Sequence, residues 1–195
     1  MGTILGVMLG LGMAAAAGLR VFVPLLLAAI AVRTGHLHPA AGFAWLGSTP
    51  ALVMFGTAAV IEALAYLVPW LDHLLDTVAT PAAVVAGSAL VAAVAIDLPP
   101  EVRWPLALIA GGGLAGLVQL GTVGARGVST ATTGGFGNPL FALLETGGAV
   151  LLAGLALLLP ALALVLVVAL VVAIVRTGRW MARRAVRAVR TPGDY

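Results

Sequence analysis

The 195-residue chain is 62% hydrophobic and 9% charged, with a mean hydropathy of +1.17 and a formal net charge of +3. Soluble domains carry about a quarter of their residues as charged side chains, so this composition excludes a soluble globular protein and reads as one integral membrane domain. With no cysteine, the chain has no disulfide framework, no thiolate metal site and no cysteine nucleophile.

Residues 3–19 are the first apolar run near spanning length, which is about 17–25 residues. The stretch MGTILGVMLGLGMAAAA ends in small residues, as signal peptides do, but no Lys or Arg precedes it, so it reads as a retained membrane helix. Gly2, Gly6, Gly10, Ala14 and Gly18 recur at intervals of four, a small-residue stripe that lets helix backbones approach closely. After Arg20, the run 21–33 is short for a crossing and holds Pro24 near its start, which predicts a half-helix or re-entrant segment. A loop over 34–49 leads to the run 50–68, which carries Glu62; the loop 69–80 carries Asp72, His73 and Asp76. Further runs follow at 81–97 and 104–124.

The segment 127–139, GVSTATTGGFGNP, is uncharged and rich in hydroxyls and glycine. Irregular backbone is tolerated at membrane depth where protein or water satisfies it. The segment therefore reads either as a hydrophilic path lined by Ser129, Thr130, Thr132, Thr133 and Asn138, or as an ordinary loop whose hydroxyls cap the helix after Pro139. The run 140–176 is too long for one crossing, and Pro160, which removes a backbone donor, divides it into 140–159 and 161–176. Beyond it, residues 177–195 form a basic amphipathic tail: with Arg176 at its border, Arg179, Arg183, Arg187 and Arg190 share one stripe opposite Met181, Ala185, Val186 and Val189. Such a helix suits anionic headgroups and marks the cytoplasmic side; no base-reading module accompanies it, so nucleic acid is not expected as a partner.

An offset of 106 lays Arg20 on Arg126, Gly6 on Gly112, Gly10 on Gly116 and Gly18 on Gly124. Looser matches follow, with Pro50 and Glu62 against Pro139 and Glu145, and Pro81-Ala82 against Pro160-Ala161. This predicts an all-α polytopic membrane protein of about six transmembrane helices plus short re-entrant or half-helix segments, arranged as an inverted repeat of two three-helix halves, about 1–98 and 99–176, within a single membrane domain 1–176. Six crossings put both termini on the cytoplasmic side of a bacterial cytoplasmic membrane, with the loop 34–49 outside and 125–139 open to the cytoplasm.

The residues GLR near the first break, Glu62 followed by Pro69, Asp72 and Asp76, and the run TTGGFGNPLFALLE resemble a bacterial membrane family, domain-of-unknown-function family 4126. The resemblance covers most of residues 10–170 and rests on GNP before a Glu and on the Glu-then-Asp-rich loop. It departs at His73, where a lysine is expected after the first Asp. The resemblance implies a shared membrane fold and no particular activity.

Arg20, Glu62, Arg126 and Glu145 each lie on or beside an apolar span. A charge at the bilayer centre costs at least about 3 kcal/mol, so such groups pair or face an interior. Two Arg and two Glu cancel, which predicts pairing near the centre of the domain, with snorkelling at helix ends as the alternative. His36, His38, Asp72, His73 and Asp76 invite a metal site, but the expected topology separates the two loops. Asp72 with Asp76 on one helix face remains as a weak metal candidate beside the simpler solvated loop. Neither a phosphate-binding loop nor a dinucleotide fingerprint is present, so no enzyme and no cofactor are expected. The reading is a small channel or transporter for an ion or small polar solute, its site at the interface of the repeats. The alternatives are a non-transporting scaffold or assembly protein, or a lipid-headgroup-binding protein using the two Arg residues. The expected partners are membrane lipids and further copies of the chain.

Overall fold

The computed structural model describes residues 2–68 and 71–190, without the side-chain surroundings of residues 3, 71–73 and 185–190. Pro69, the Asp72 side chain and the last residues of the tail therefore lie outside the described residues. Among the described residues eight α-helices follow in chain order: α1 (Thr3–Leu19), α2 (Phe22–Arg33), α3 (Thr49–Ala65), α4 (Leu71–Val94), α5 (Pro100–Leu106), α6 (Gly113–Thr133), α7 (Asn138–Leu158) and α8 (Pro160–Arg190). A π-helical turn, Ala107–Gly112, joins α5 to α6 without a break, and among the described residues there is no strand. Four helical stretches are long and apolar enough to cross a membrane: Leu74–Val94, Pro100–Thr133, Asn138–Leu158 and Pro160–Arg184. The remaining apolar helices, α1, α2 and α3, are shorter.

Prolines and glycines set the joints. Continuing α1 through residue 24 would need an amide that Pro24 lacks and would drive its ring into the Arg20 carbonyl. The helix ends instead with Arg20 extended (φ −147°, ψ 123°), its amide still bonded to the Ala16 carbonyl at 3.0 Å, and α2 begins afresh. α2 is an apolar helix of twelve residues, shorter than a full crossing needs. α6 stops where Gly134 turns left-handed at φ 66°, a conformation that glycine adopts without a Cβ penalty. The long run 140–176 resolves into two helices: Leu159 leaves helical geometry and Pro160 opens α8.

α1 is the central post, packed against α4, α6, α7 and α8. Gly6 abuts the Val94 carbonyl and Gly10 abuts Val91, so α1 and α4 run antiparallel. Gly111 meets Gly87, Gly112 meets both Ser88 and Val84, and Gly116 meets Val84, so α6 runs antiparallel to α4 and hence parallel to α1. Gly18 closes against the Ala115 carbonyl and Val118, where nothing larger than hydrogen fits. This is the close approach that small residues permit between helices in lipid. α7 runs against α1, with Ala156 by Gly12 and Leu19 by Gly148. α8 runs with it, since Ala163 lies by Gly12 and Ile174 lies by Gly121.

These directions correct three expectations. α1 and α6 are parallel, so the offset of 106 does not relate an inverted pair of helices. Arg126 stands inside the continuous α6, whereas Arg20 stands at a break, so the two halves do not share an Arg-bearing joint. The first turn of α1 and the last turns of α8 lie at opposite ends of the bundle, which departs from the common side expected for both. The segment 127–139 is corrected as well, since it is helical through Thr133 and irregular only at the short turn 134–137.

A buried charge cluster as the candidate functional site

The break after α1 leaves the first amides of α2 without helical acceptors. Glu62, one turn before the end of α3, fills that role: Val21 N–H donates to its Oε1 at 2.9 Å and Phe22 N–H to its Oε2 at 3.1 Å. The carboxylate is thus held at the positive end of a helix dipole. Arg20, pushed inward by the extended residue, donates from Nη1 to Glu145 Oε2 at 2.9 Å, from Nε to Thr146 Oγ1 at 3.0 Å and from Nη2 to the Ala142 carbonyl at 3.0 Å. Arg126 meets the same Glu145 Oε2 through Nη1 at 2.7 Å and Asp76 Oδ1 through Nη2 at 2.5 Å. Tyr66, just past α3, donates its hydroxyl to Asp76 Oδ1 at 3.0 Å and lies under both guanidiniums, 4.1 Å from Arg20 and 4.5 Å from Arg126. Cation–π contact of this kind strengthens where water is excluded.

The cluster is closed to solvent. Arg20 is 2% exposed and Arg126 1%, and both are among the largest fully buried side chains of the protein. Two guanidiniums balance Asp76 and Glu145, and the third carboxylate, Glu62, is answered by backbone amides. A cleft of about 260 Å³ reaches the edge of the cluster between α3 and α4, lined by carbon apart from Glu62 and Tyr66. Along α7, Glu145 lies seven residues from Asn138 and thirteen from Leu158, about 10 and 20 Å at the helical rise. The cluster therefore sits off-centre, toward the end of the bundle where α8 carries its Arg stripe.

The structure brings Arg20, Glu62, Arg126 and Glu145 to one place, but with different partners than charge pairing alone predicts. Glu62 caps α2 and Glu145 is shared by both Arg residues. Asp76, the described member of the weak metal pair, is Arg126's second acid and is committed to that ion pair. Both Arg20 and Arg126 are buried among these partners, and neither is exposed at the surface of the bundle. Of the predicted path residues, Ser129 and Asn138 are buried, while Thr132 and Thr133 are exposed and bond to carbonyls of their own helix. Thr130 accepts from Asn138 Nδ2 at 2.9 Å.

Sequence reasoning missed Tyr66, Thr146, Gln119 and Thr122. Tyr66 had a signal, since it stands one turn after Glu62 in an apolar run. Gln119, Thr122, Arg126 and Ser129 also fall at helical spacing, and all are buried on one face of α6. A family model with the description Domain of unknown function (DUF4126) matches residues 7–180. No curated protein and no solved structure matches the chain.

Proposed function

The chain belongs to the DUF4126 family, a description that assigns no activity, and from the site we propose a small membrane carrier for an ion or small polar solute. The observation that carries the reading is the convergence of five ionisable side chains from α1, α3, α4, α6 and α7 in a bundle whose outer face is hydrocarbon. Ionisable groups at membrane depth are costly and mark substrate or proton pathways more often than they serve packing. The arrangement suits a gate. Glu145 and Tyr66 each engage both Arg residues, so displacing Glu145 loosens the charged link between Arg20, at the break after α1, and Arg126 on α6. The Arg stripe of α8 marks the cluster's side as cytoplasmic by the positive-inside rule and offers a surface to anionic headgroups. The cell membrane is the setting for this reading, with the start of α1 on the outer side.

Purified protein in liposomes tests it, with proton, sodium, potassium and chloride movement followed by ion-sensitive dyes. Flux above protein-free liposomes, lost in a folded Glu145→Gln variant, supports the carrier. Absence of flux for every ion and for small polar solutes overturns it. The second reading, a non-transporting scaffold, draws on the same burial, because a sealed cluster also locks five segments into one rigid unit. A folded wild type inert in all flux assays favours that reading.

A further inference from the structure

The inward face of α6 carries more polar groups than the charge cluster uses. Gln119, Thr122, Arg126 and Ser129 follow at intervals of three, four and three, one stripe of a 3.6-residue helix, and each is at least nine-tenths buried. Thr122 satisfies its hydroxyl on the Gln119 carbonyl at 2.9 Å. Gln119 Nε2, Arg126 Nε and Ser129 Oγ have no hydrogen-bond partner among the described residues, nor has Oε1 of Glu145, which faces the stripe from α7. Buried donors and acceptors are nearly always paired, by protein or by ordered water. Water settles inside a protein where several polar groups converge.

The ends of the stripe differ. At the α8-tail end it meets the 134–137 turn, where Gly137 packs so closely that a Cβ there would stand 2.6 Å from Ser129 Oγ and 3.2 Å from Thr133 Oγ1, and where Thr133 is exposed. Asn138 and Thr130 add polar groups at this end. At the far end, Gln119 adjoins Val118, which is fully buried against Gly18. The stripe thus runs from a polar end of the bundle, past the Arg126–Glu145 pair, to an apolar one.

We propose that the polar stripe of α6 and the facing Glu145 carboxylate hold a file of water that exchanges with solvent from the side of the 134–137 turn as far as Gln119. The proposal rests on the carrier reading for its purpose, naming the side of entry, but hydration is testable without transport.

The chain has no cysteine, so single cysteines report accessibility cleanly. Silver ion, small enough for a water-wide passage, is added to liposomes holding Ser129→Cys, Thr122→Cys or Gln119→Cys. The controls are Val118→Cys in the apolar core and Leu120→Cys facing lipid. Thiols that survive are counted by maleimide after unfolding, in variants that elute as the wild type does. The stripe cysteines are expected to react roughly an order of magnitude faster than both controls, and only when silver is added on the side of the α8 tail. Stripe cysteines as slow as the controls, or reactive only from the opposite side, overturn the file whatever the flux assays give. Reactive stripe cysteines in a protein that moves no solute leave the file standing and remove the carrier.

Discussion

Arg126→Met tests the charge cluster most directly. The guanidinium contacts two buried carboxylates, Glu145 at 2.7 Å and Asp76 at 2.5 Å. Methionine keeps the length and apolar volume of the stem, so the change isolates the charge. Glu145 retains Arg20 at 2.9 Å, whereas Asp76 loses its guanidinium and keeps the neutral Tyr66 hydroxyl. Removing one partner of a buried pair costs about 3–5 kcal/mol because the other charge is left uncompensated. Arg20→Met removes less, since both carboxylates keep Arg126; the loss is that of a charge-assisted hydrogen bond and its neighbours, about 1.5–3 kcal/mol. The exposed Arg179→Met is the control, with an effect within about 0.5 kcal/mol. Adding Asp76→Asn to Arg126→Met takes away the carboxylate that has lost its guanidinium and should recover up to about 3 kcal/mol as a coupling energy. Unfolding of the purified protein by denaturing-detergent titration, followed by circular dichroism, measures all four. If Arg126→Met is as mild as Arg179→Met, or if Asp76→Asn deepens its defect, the ion-pair account of the cluster is wrong.

Three further outcomes are expected. Glu62→Gln leaves one oxygen for the two amides at Val21 and Phe22 and should cost about 1–3 kcal/mol, with faster amide hydrogen exchange at those two residues; unchanged exchange there would remove the capping role. Gly18→Val places a side chain against the Ala115 carbonyl and Val118 and should abolish recovery of folded protein, while Gly113→Val, which meets open space, should be recovered at the wild-type level; equal recovery would discount the tight α1–α6 approach. Single cysteines at Gly42 and Phe136, on exposed turns at opposite ends of the bundle, should react with impermeant reagents from opposite sides of the membrane, Phe136→Cys on the side of the tail, and labelling of both from one side would refute the helix directions.

The all-helical membrane character of this protein is present in the sequence because it is additive. Each residue contributes its own transfer free energy, so runs such as 3–19 and 140–176 announce apolar helices without reference to one another. Breaks imposed by covalent geometry are legible for the same reason: Pro24 and Pro160 forbid specific backbone hydrogen bonds wherever they stand. The rarity of charge in apolar runs likewise singles out Arg20, Glu62, Arg126 and Glu145.

Which groups pair was decided by the tertiary structure, because pairing depends on helix direction and rotation, and neither is additive along the chain. A glycine rhythm before each Arg suggested inverted halves, yet Gly6, Gly18 and Gly112 pack so that α1 and α6 run parallel. Glu62 and Glu145 look alike in sequence, but one faces the freed amides of α2 and the other faces two guanidiniums. Asp76 reads as a loop carboxylate until α4 extends below Pro81 and turns it toward Arg126. A hydrophobic pattern reports how deep a residue prefers to be; only the packed bundle determines what it meets there.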